Sequence, residues 1–415
     1  MRVLHIGKYF PPFAGGMEHF LADLLPALNA QGVEAAALVH HERSGWRGAR
    51  PTAPDDPPVY RAPTYGRLLY APISPAFPRW IDRLIGEFKP DLLHLHLPNT
   101  SAFWALALPA ARRLPWVVHW HSDVVASTLD RRLSLAYGLY RPFEQRLLAR
   151  AQQIIATSPP YLESSPALAP WRERCVVIPL GLDPARIPDP DATSRAQAEA
   201  LWKAVTPSQG HARRPWRILA IGRLTYYKGH EVLIRAAVEL PEAGVLIVGA
   251  GDLADSLRGS IDALGLTGRV RLAGHQPGPV LNALLASCDL LCLPSIERTE
   301  AFGLVQLEAM RFGKPVVVSD IPGSGTGWVV HQAGNGLTVP PGDPGALATA
   351  IDGLRRDPEQ AQRLGQTGAR ALETRFSIAR IAEQIAQLYT EHDPRHLNPR
   401  SPQDRHSATL SGEGR

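Results

Sequence analysis

Cysteine is scarce in this chain. Three thiols among 415 residues, Cys175, Cys288 and Cys292, exclude a disulfide framework and fit a reducing cytosol. Cys288 and Cys292 bracket the apolar run "CDLLC" and read as small core residues rather than a metal or redox pair. No eighteen apolar residues run together, and "SAFWALALPAA" is too short to cross a bilayer, so any membrane contact is expected to be peripheral. The start, "MRVLHIGKYF", lacks the charged head, long apolar centre and cleavage site of a signal peptide. Charge of one sign is also missing. With 44 Lys and Arg against 39 Asp and Glu, the excess of +5 is too dilute to argue for nucleic acid. It suits anionic phosphates or an anionic membrane surface.

What the chain has is alternation. Short apolar runs, "RVLHIG", "EAAALV", "LLHLHL", "WVVHWH", "QIIATS" and "CVVIPL", are separated by helix-length stretches. A second series follows: "RILAIG", "GVLIVG", "RVRLAG", "LLCLPS", "PVVVSD" and "GLTVPP". Continuous apolar strands spaced this way imply parallel sheets buried on both faces. The expected fold is therefore α/β, two doubly wound Rossmann-like domains facing across a cleft, each binding at the carboxyl ends of its strands. The expected domains are residues 1–182 and 216–372, joined by a linker at 183–215 rich in Pro, Asp, Arg and Ser. The linker holds a short helical piece, "SRAQAEALWKAV". A helix at 373–392 should pack back on the domains, and the polar tail 393–415 should be disordered. "RPTAPDDPPVYRAPTYGRLLYAPISPAFPRW" reads as a long irregular insertion of the kind that contacts substrate.

Chemistry gathers at strand ends. In "TEAFGLVQLEAM" a carboxylate, Glu300, precedes a turn at Phe302-Gly303, and Glu308 lies about one turn into the following helix. The unpaired amides of a helix start attract phosphate, and Gly303 lets the backbone approach closely. The two acids can then take hydroxyls of a nucleotide sugar, or merely complement the helix dipole. In "ILAIGRLTYYKGHEVLIRAA", Arg223 and Lys228 put two cations at the edge of the same sheet, as a diphosphate leaving group requires. In the first half, Gly15 and Gly16 stand between the first strand and the first helix. His94 and His96, then His119 and His121, alternate along two strands, with Asp123 close by. A zinc site is conceivable there, but core histidines are commoner. His121, at its strand end, is expected to project into the cleft.

These segments, with "PPFAGGMEHFLADL", "HWHSD", "VIPLGLD" and "EAFGLVQLEAMRFGKPVVVSD", resemble a retaining glycosyltransferase of family 4 with the GT-B fold. The resemblance runs from Met1 to about Tyr389. It implies that Arg223 and Lys228 bind the donor diphosphate, Glu300 the sugar hydroxyls and Glu308 the ribose. The Phe302, Gly303 and Leu304 amides would meet the phosphates, Gly15 and Gly16 would close from the other domain, and His121 would contact the donor sugar. It implies same-face substitution assisted by the leaving diphosphate, with no metal and no cofactor, the nucleotide sugar being a substrate. The one Asp-x-Asp match, Asp189 to Asp191, lies in the linker and reads as a turn. Where the family often has an acid after "VVVSDIP", this chain has "GSGTGWVV". Similar loops among family members that build bacterial surface polysaccharides, together with "HSDVV", tilt the donor toward GDP-mannose over UDP-sugars. The acceptor expected from that resemblance is a glycan or polyprenyl-linked glycan of a cell-surface polysaccharide or lipopolysaccharide.

Parts of the chain also fit other protein classes. Gly249-x-Gly251-x-x-Ala254 matches a dinucleotide fingerprint, but no acid follows on the next strand. A nucleotide-sugar epimerase or a non-catalytic sugar-nucleotide-binding protein would share the fold. The expected location is the cytoplasm, with peripheral contact at the inner face of the membrane. The basic, apolar stretch Arg131 to Arg150 is a candidate for that contact, or else an ordinary packed helix.

Overall fold

A computed structural model describes residues 1–13, 15–45, 48–49, 56–68, 71–124, 131–205 and 215–391, with the side chains of 131–136 excluded. The tail at 393–415 lies outside the described residues, as do the side chains at the start of the basic stretch.

Seven of the first half's strands form one sheet. They are β1 (Arg2–Ile6), β2 (Glu34–Ser44), β3 (Val59–Thr64), β6 (Leu92–Leu97), β7 (Trp116–Trp120), β8 (Gln153–Ala156) and β9 (Cys175–Val177). Between β3 and β6, β4 (Arg67–Leu68) and β5 (Ala71–Pro72) make a separate antiparallel hairpin. The sheet order is β3-β2-β1-β6-β7-β8-β9, all parallel. Every residue of β6 and β7 is buried, as expected when helices cover both faces.

The second half repeats the plan. β10 (Trp216–Ile221), β11 (Ala243–Val248), β12 (Val270–Gly274), β13 (Leu290–Leu293), β14 (Val316–Ser319) and β15 (Gly336–Val339) lie in the order β12-β11-β10-β13-β14-β15, again parallel. In each sheet the chain reverses direction beside its first strand. The two crevices are therefore at β1/β6 and β10/β13, where open α/β sheets bind ligands.

Two segments differ from expectation. The Pro-rich insertion is not irregular throughout: it contains β3, the β4–β5 hairpin and the start of the helix Phe77–Phe88. Pro63 is tolerated because β3 is an edge strand, where a missing N–H breaks no central ladder. In the connecting segment, the helix Ala192–Lys203 buries Ala198 and Trp202 in the second half's core, and Trp202 Nε1 donates to Ser287 Oγ at 3.0 Å. The "DPD" acid Asp191 caps that helix, accepting from the Ser194 amide at 2.7 Å.

After the helix Pro358–Thr374 the chain crosses back. Leu182 N donates to Phe376 O, and Ile378 N to Leu182 O, each at 3.0 Å. The last described helix, Ile378–Glu391, then packs Ile381, Ile385 and Tyr389 against Phe20 and Leu24 of the helix Gly16–Ala30. That core also takes in Phe302, Leu304, Leu307 and Met310 of the second half. The two halves share apolar packing.

Candidate active site

The second half builds its part of the cleft at the β10/β13 crevice. After β10, Gly222 and a short turn carry Arg223 and Lys228 across the strand ends. Gly229 (φ +64°) must be glycine, because a Cβ there would sit 1.9 Å from the Pro294 carbonyl oxygen. That contact seats Lys228 beside the loop after β13. Its Nζ donates to Glu300 Oε2, which also accepts from Ser295 Oγ at 3.3 Å. Burial alone would lower the Lys228 pKa; the Glu300 carboxylate overrides this and holds it above its ordinary value. Arg223 is exposed to the cleft, with its guanidinium on Tyr227 Oη at 2.8 Å and its carbonyl within 3.3 Å of His230 Nε2.

Phe302 and Leu304 are buried between the halves, and Gly303 (φ +76°) bends the backbone between them. A Cβ on Gly303 would meet Leu293 Cδ2 at 2.7 Å and Gln306 Nε2 at 2.8 Å. The helix itself begins at Val305, and Glu308 falls in its first turn. Its carboxylate is 3.9 Å from Arg186 Nη2, and burial raises its pKa against that cation. Arg186 Nε also donates to Asp23 of the first half at 2.7 Å.

From the first half, Gly15 and Gly16 open the helix Gly16–Ala30. A methyl on Gly16 would lie 3.8 Å from the Leu304 side chain, so the two loops face each other with room for little more than a Cβ at that point. A Cβ on Gly15 would strike Glu18 Oε2 at 2.1 Å. Lys8 and Glu18 stand beside this loop, and the Arg223 charge acts on both: burial lowers the Lys8 pKa and raises that of Glu18. Sequence reasoning passed over this pair, which only the closed cleft brings against Arg223.

His121 does not project freely. It is 7% exposed and stacks on His119 with ring centroids 4.3 Å apart. It belongs to a column of five buried imidazoles on one sheet face: His5 on β1, His94 and His96 on β6, His119 and His121 at β7. His121 Nε2 pairs with His96 Nδ1 at 2.9 Å, and His96 Nε2 with His5 Nδ1 at 3.1 Å. Each ring must donate at one nitrogen and accept at the other, so the tautomer of His121 is tied to that of His5 two strands away. His94 Nδ1 meets Tyr389 Oη of the last helix, and His119 has no partner at either nitrogen among the described residues. Desolvation drives all five pKa values far down, to about 3 for His5 and His121. The ring nitrogens of His5, His94 and His96, and of His96, His119 and His121, lie within 4.8 Å of one another, close enough to share a cation. Binding one would break the His5–His96–His121 hydrogen bonds.

A second connection between the halves was also missed. Arg298, on the loop before Glu300, donates to Asp123 Oδ2 at 2.5 Å and to Ser164 Oγ at 3.0 Å, with its guanidinium 4.6 Å from the Tyr161 ring centroid. Asp123 in turn accepts from Trp120 Nε1 at 2.8 Å and Ser165 Oγ at 2.7 Å. The "HSD" triplet was visible, but its partner 175 residues away was not.

Two Rossmann-like sheets closed on a cleft, with cations and paired acids on one side and a glycine loop on the other, define a two-domain group-transfer fold of the GT-B kind. Comparison with known proteins makes this specific. Residues 15–181 match the family model "Glycosyl transferase 4-like domain", and residues 204–371 match "Glycosyl transferases group 1". O-antigen chain mannosyltransferase C of Escherichia coli is 30% identical over 395 residues, 94% of this chain and 98% of that protein. D-rhamnosyltransferase WbpZ of Pseudomonas aeruginosa is 30% identical over 375 residues, 88% and 90% of the two chains. Among solved structures, a sucrose-phosphate synthase from Thermosynechococcus elongatus superposes with a TM-score of 0.76 at 24% identity, over 94% of this chain and 98% of its own. This chain belongs to the family of group 1, 4-like glycosyltransferases, and it is a glycosyltransferase.

Proposed function

We propose that the protein transfers a hexosyl residue, with retention of anomeric configuration and without a metal ion, from a nucleotide sugar to a glycan or polyprenyl-linked glycan. The observation that carries this reading is the Lys228–Glu300 pair beside Arg223 at the β10/β13 crevice, opposite Gly16. Two cations there can stabilise charge growing on a departing diphosphate. Glu300 and Glu308 each stand against a cationic side chain, Lys228 and Arg186, an arrangement that suits hydroxyl recognition rather than metal ligation. Gly15, Gly16 and the amides of 302–304 would flank the phosphates, and His121 would present its remaining nitrogen, Nδ1, to the sugar. The E. coli relative named a mannosyltransferase supports a mannosyl donor, for which GDP-mannose is the first candidate, and a role in surface-polysaccharide assembly. No described helix is long and apolar enough to cross a membrane. Peripheral contact at the inner leaflet would use the outer face of the helix Arg131–Arg150, where Leu139 is 73% exposed beside Arg141.

The deciding experiment is a thermal-shift series with GDP-mannose, UDP-glucose, UDP-galactose and UDP-N-acetylglucosamine in the presence of EDTA. It is followed by proton NMR of the product anomer. Stabilisation by one donor and a retained anomer are expected. No shift with any donor, or an inverted product, would refute the reading.

A further inference from the structure

A second concavity lies in the first half, outside the crevice just described. It encloses about 960 Å³, at the upper end of the roughly 300–1,000 Å³ typical of small-molecule sites. Its walls are apolar, and residues of three elements that ought to be buried are exposed around it. Leu68 of the β4–β5 hairpin is 65% exposed, Trp104 of the 3-10 turn after β6 is 45%, and Phe143 of the helix Arg131–Arg150 is 47%. Single exposed apolar residues mean little; three large ones from separate elements around one groove mark a binding surface.

Topology gives the groove a direction. Ser101, just past the carboxyl end of β6, lines one end, and Trp116, the first residue of β7, lines the other. The groove therefore extends from beyond the carboxyl end of β6 toward the start of β7. The Ser101 end adjoins the cleft. Ser101 Oγ is 2.9 Å from His40 Nε2, and His40 Nδ1 reaches the carbonyl of Lys8, which stands under Arg223. At the same end Arg67, next to Leu68, lies over the Tyr9 and Phe13 rings of the loop that leads to Gly15. Among the described residues, the charged side chains that line the groove are Arg112, Arg146 and Arg150, with Arg150 over the Trp116 ring at the end away from the cleft. Arg150 is committed to the Arg112 and Leu114 carbonyls, whereas Arg112 and Arg146 reach into solvent at the rim.

We propose that this groove holds the hydrocarbon chain of the acceptor, a lipid phosphate whose glycan enters the cleft. The chain would lie along Leu68, Trp104 and Phe143, and the phosphate would sit near Arg67 at the mouth. This rests on the reading that the acceptor is lipid-linked. Apolar walls and an opening toward the donor side together suit one long chain, and Arg67 at that opening suits its anionic head. A soluble sugar would gain nothing from these walls.

The probe is n-dodecyl phosphate, used below its micelle concentration and measured by titration calorimetry on the full chain, with butyl phosphate and dodecyl maltoside as controls. Saturable one-to-one binding of dodecyl phosphate is expected, with the two controls at least about tenfold weaker. Trp104→Asp and Phe143→Asp, both at exposed positions that should tolerate the change in folding, are each expected to weaken it about tenfold or more. The thermal shift produced by GDP or UDP should stay as in the parent, since that response reports the donor half separately. Unchanged dodecyl phosphate affinity in both variants overturns the proposal, as does non-saturable uptake. It is equally overturned if the substitutions abolish binding to phosphatidylglycerol vesicles while dodecyl phosphate still binds normally, because the face would then be a bilayer contact. A parent chain that binds dodecyl phosphate but shows no shift with GDP or UDP leaves the groove in place and refutes the donor reading instead.

Discussion

Lower the pH from 7.5 to 5 and the histidine column works against the fold. The folded-state pKa values of His5, His94, His96, His119 and His121 lie far below the ordinary 6.5, to about 3 for His5 and His121, because burial penalises the charged ring. A depressed folded pKa means stability that is whole above the unfolded value and is lost as pH falls toward the folded one. Between about pH 6 and 4 the unfolded chain therefore binds five protons that the native column refuses. Each costs at most about 1.4 kcal/mol per pH unit, so about 7 kcal/mol per unit is the ceiling for the five together. Glu144, pushed up to about 7 by burial, opposes them by one proton, and Glu18, Asp23 and Glu308, also raised by burial, oppose them in the same sense. His19, His40 and His230, each held near 4 by burial, act with them. Even half of that ceiling is a large share of a total stability of about 5–15 kcal/mol. Urea unfolding followed by tryptophan fluorescence at half-unit steps from pH 7.5 to 5.0 measures this slope. His119→Phe provides the internal check. Neither of its ring nitrogens has a partner among the described residues, so removing them should not weaken the protein at pH 7.5 and should flatten the slope by about one proton. A slope under about 2 kcal/mol per unit between pH 6 and 5 would refute the argument.

Other expectations are more local. Lys228→Met leaves Glu300 buried without its cation and should cost about 3–5 kcal/mol of stability in chemical denaturation. Adding Glu300→Gln should recover part of that, and additive losses across the double-mutant cycle would contradict a coupled pair. Turnover of Lys228→Met should fall about 10²–10³-fold, if charge on the leaving group is what this side chain meets. Gly229→Ala should lower stability by at least about 2 kcal/mol, through its positive φ and the Pro294 carbonyl. Gly259→Ala, in a helix with nothing within 4 Å, should be neutral or stabilising by up to about 1 kcal/mol. Arg298→Ala should loosen the two halves, seen as a larger radius of gyration in small-angle scattering and a higher donor KM; no change in either would mean the contact is incidental.

Much of this was legible because apolar runs of parallel strands are local signals. All six runs of the second half are strands at their expected places, and Arg223, Lys228 and Glu300 fall on loops following β10 and β13. β3 was hidden because Pro63 and the surrounding prolines mask an edge strand, whose propensity is weak in any case. The histidine column was half visible. Alternation in "LLHLHL" and "WVVHWH" put each pair on one face, but His5 alone in "RVLHIG" carries no such pattern, and only the β1–β6 pairing sets it opposite His94. Lys8, Glu18, Arg186 and Arg298 look like ordinary charges in sequence. Their partners lie on other elements, and no spacing rule encodes a contact across a cleft.

Those cross-cleft contacts bear on how the site comes together. Asp123 closes the end of β7, two residues past His121, and its carboxylate is shared among Trp120, Ser165 and Arg298. Arg298 is two residues from Glu300, which holds Lys228. On the other flank Arg186 touches Asp23, in the helix that Gly16 opens, and stands 3.9 Å from Glu308. The contacts that tie the first half to the second half and to the linker are thus each within about two turns of chain of a proposed donor contact. Opening the cleft would break Asp123–Arg298 and separate Arg186, held by Asp23, from Glu308, and would also release the loops that carry Glu300 and Glu308. If the proposed donor contacts hold, closure and assembly of the donor site would be one event, and a nucleotide sugar bridging the halves would favour the closed arrangement by its differential affinity for it.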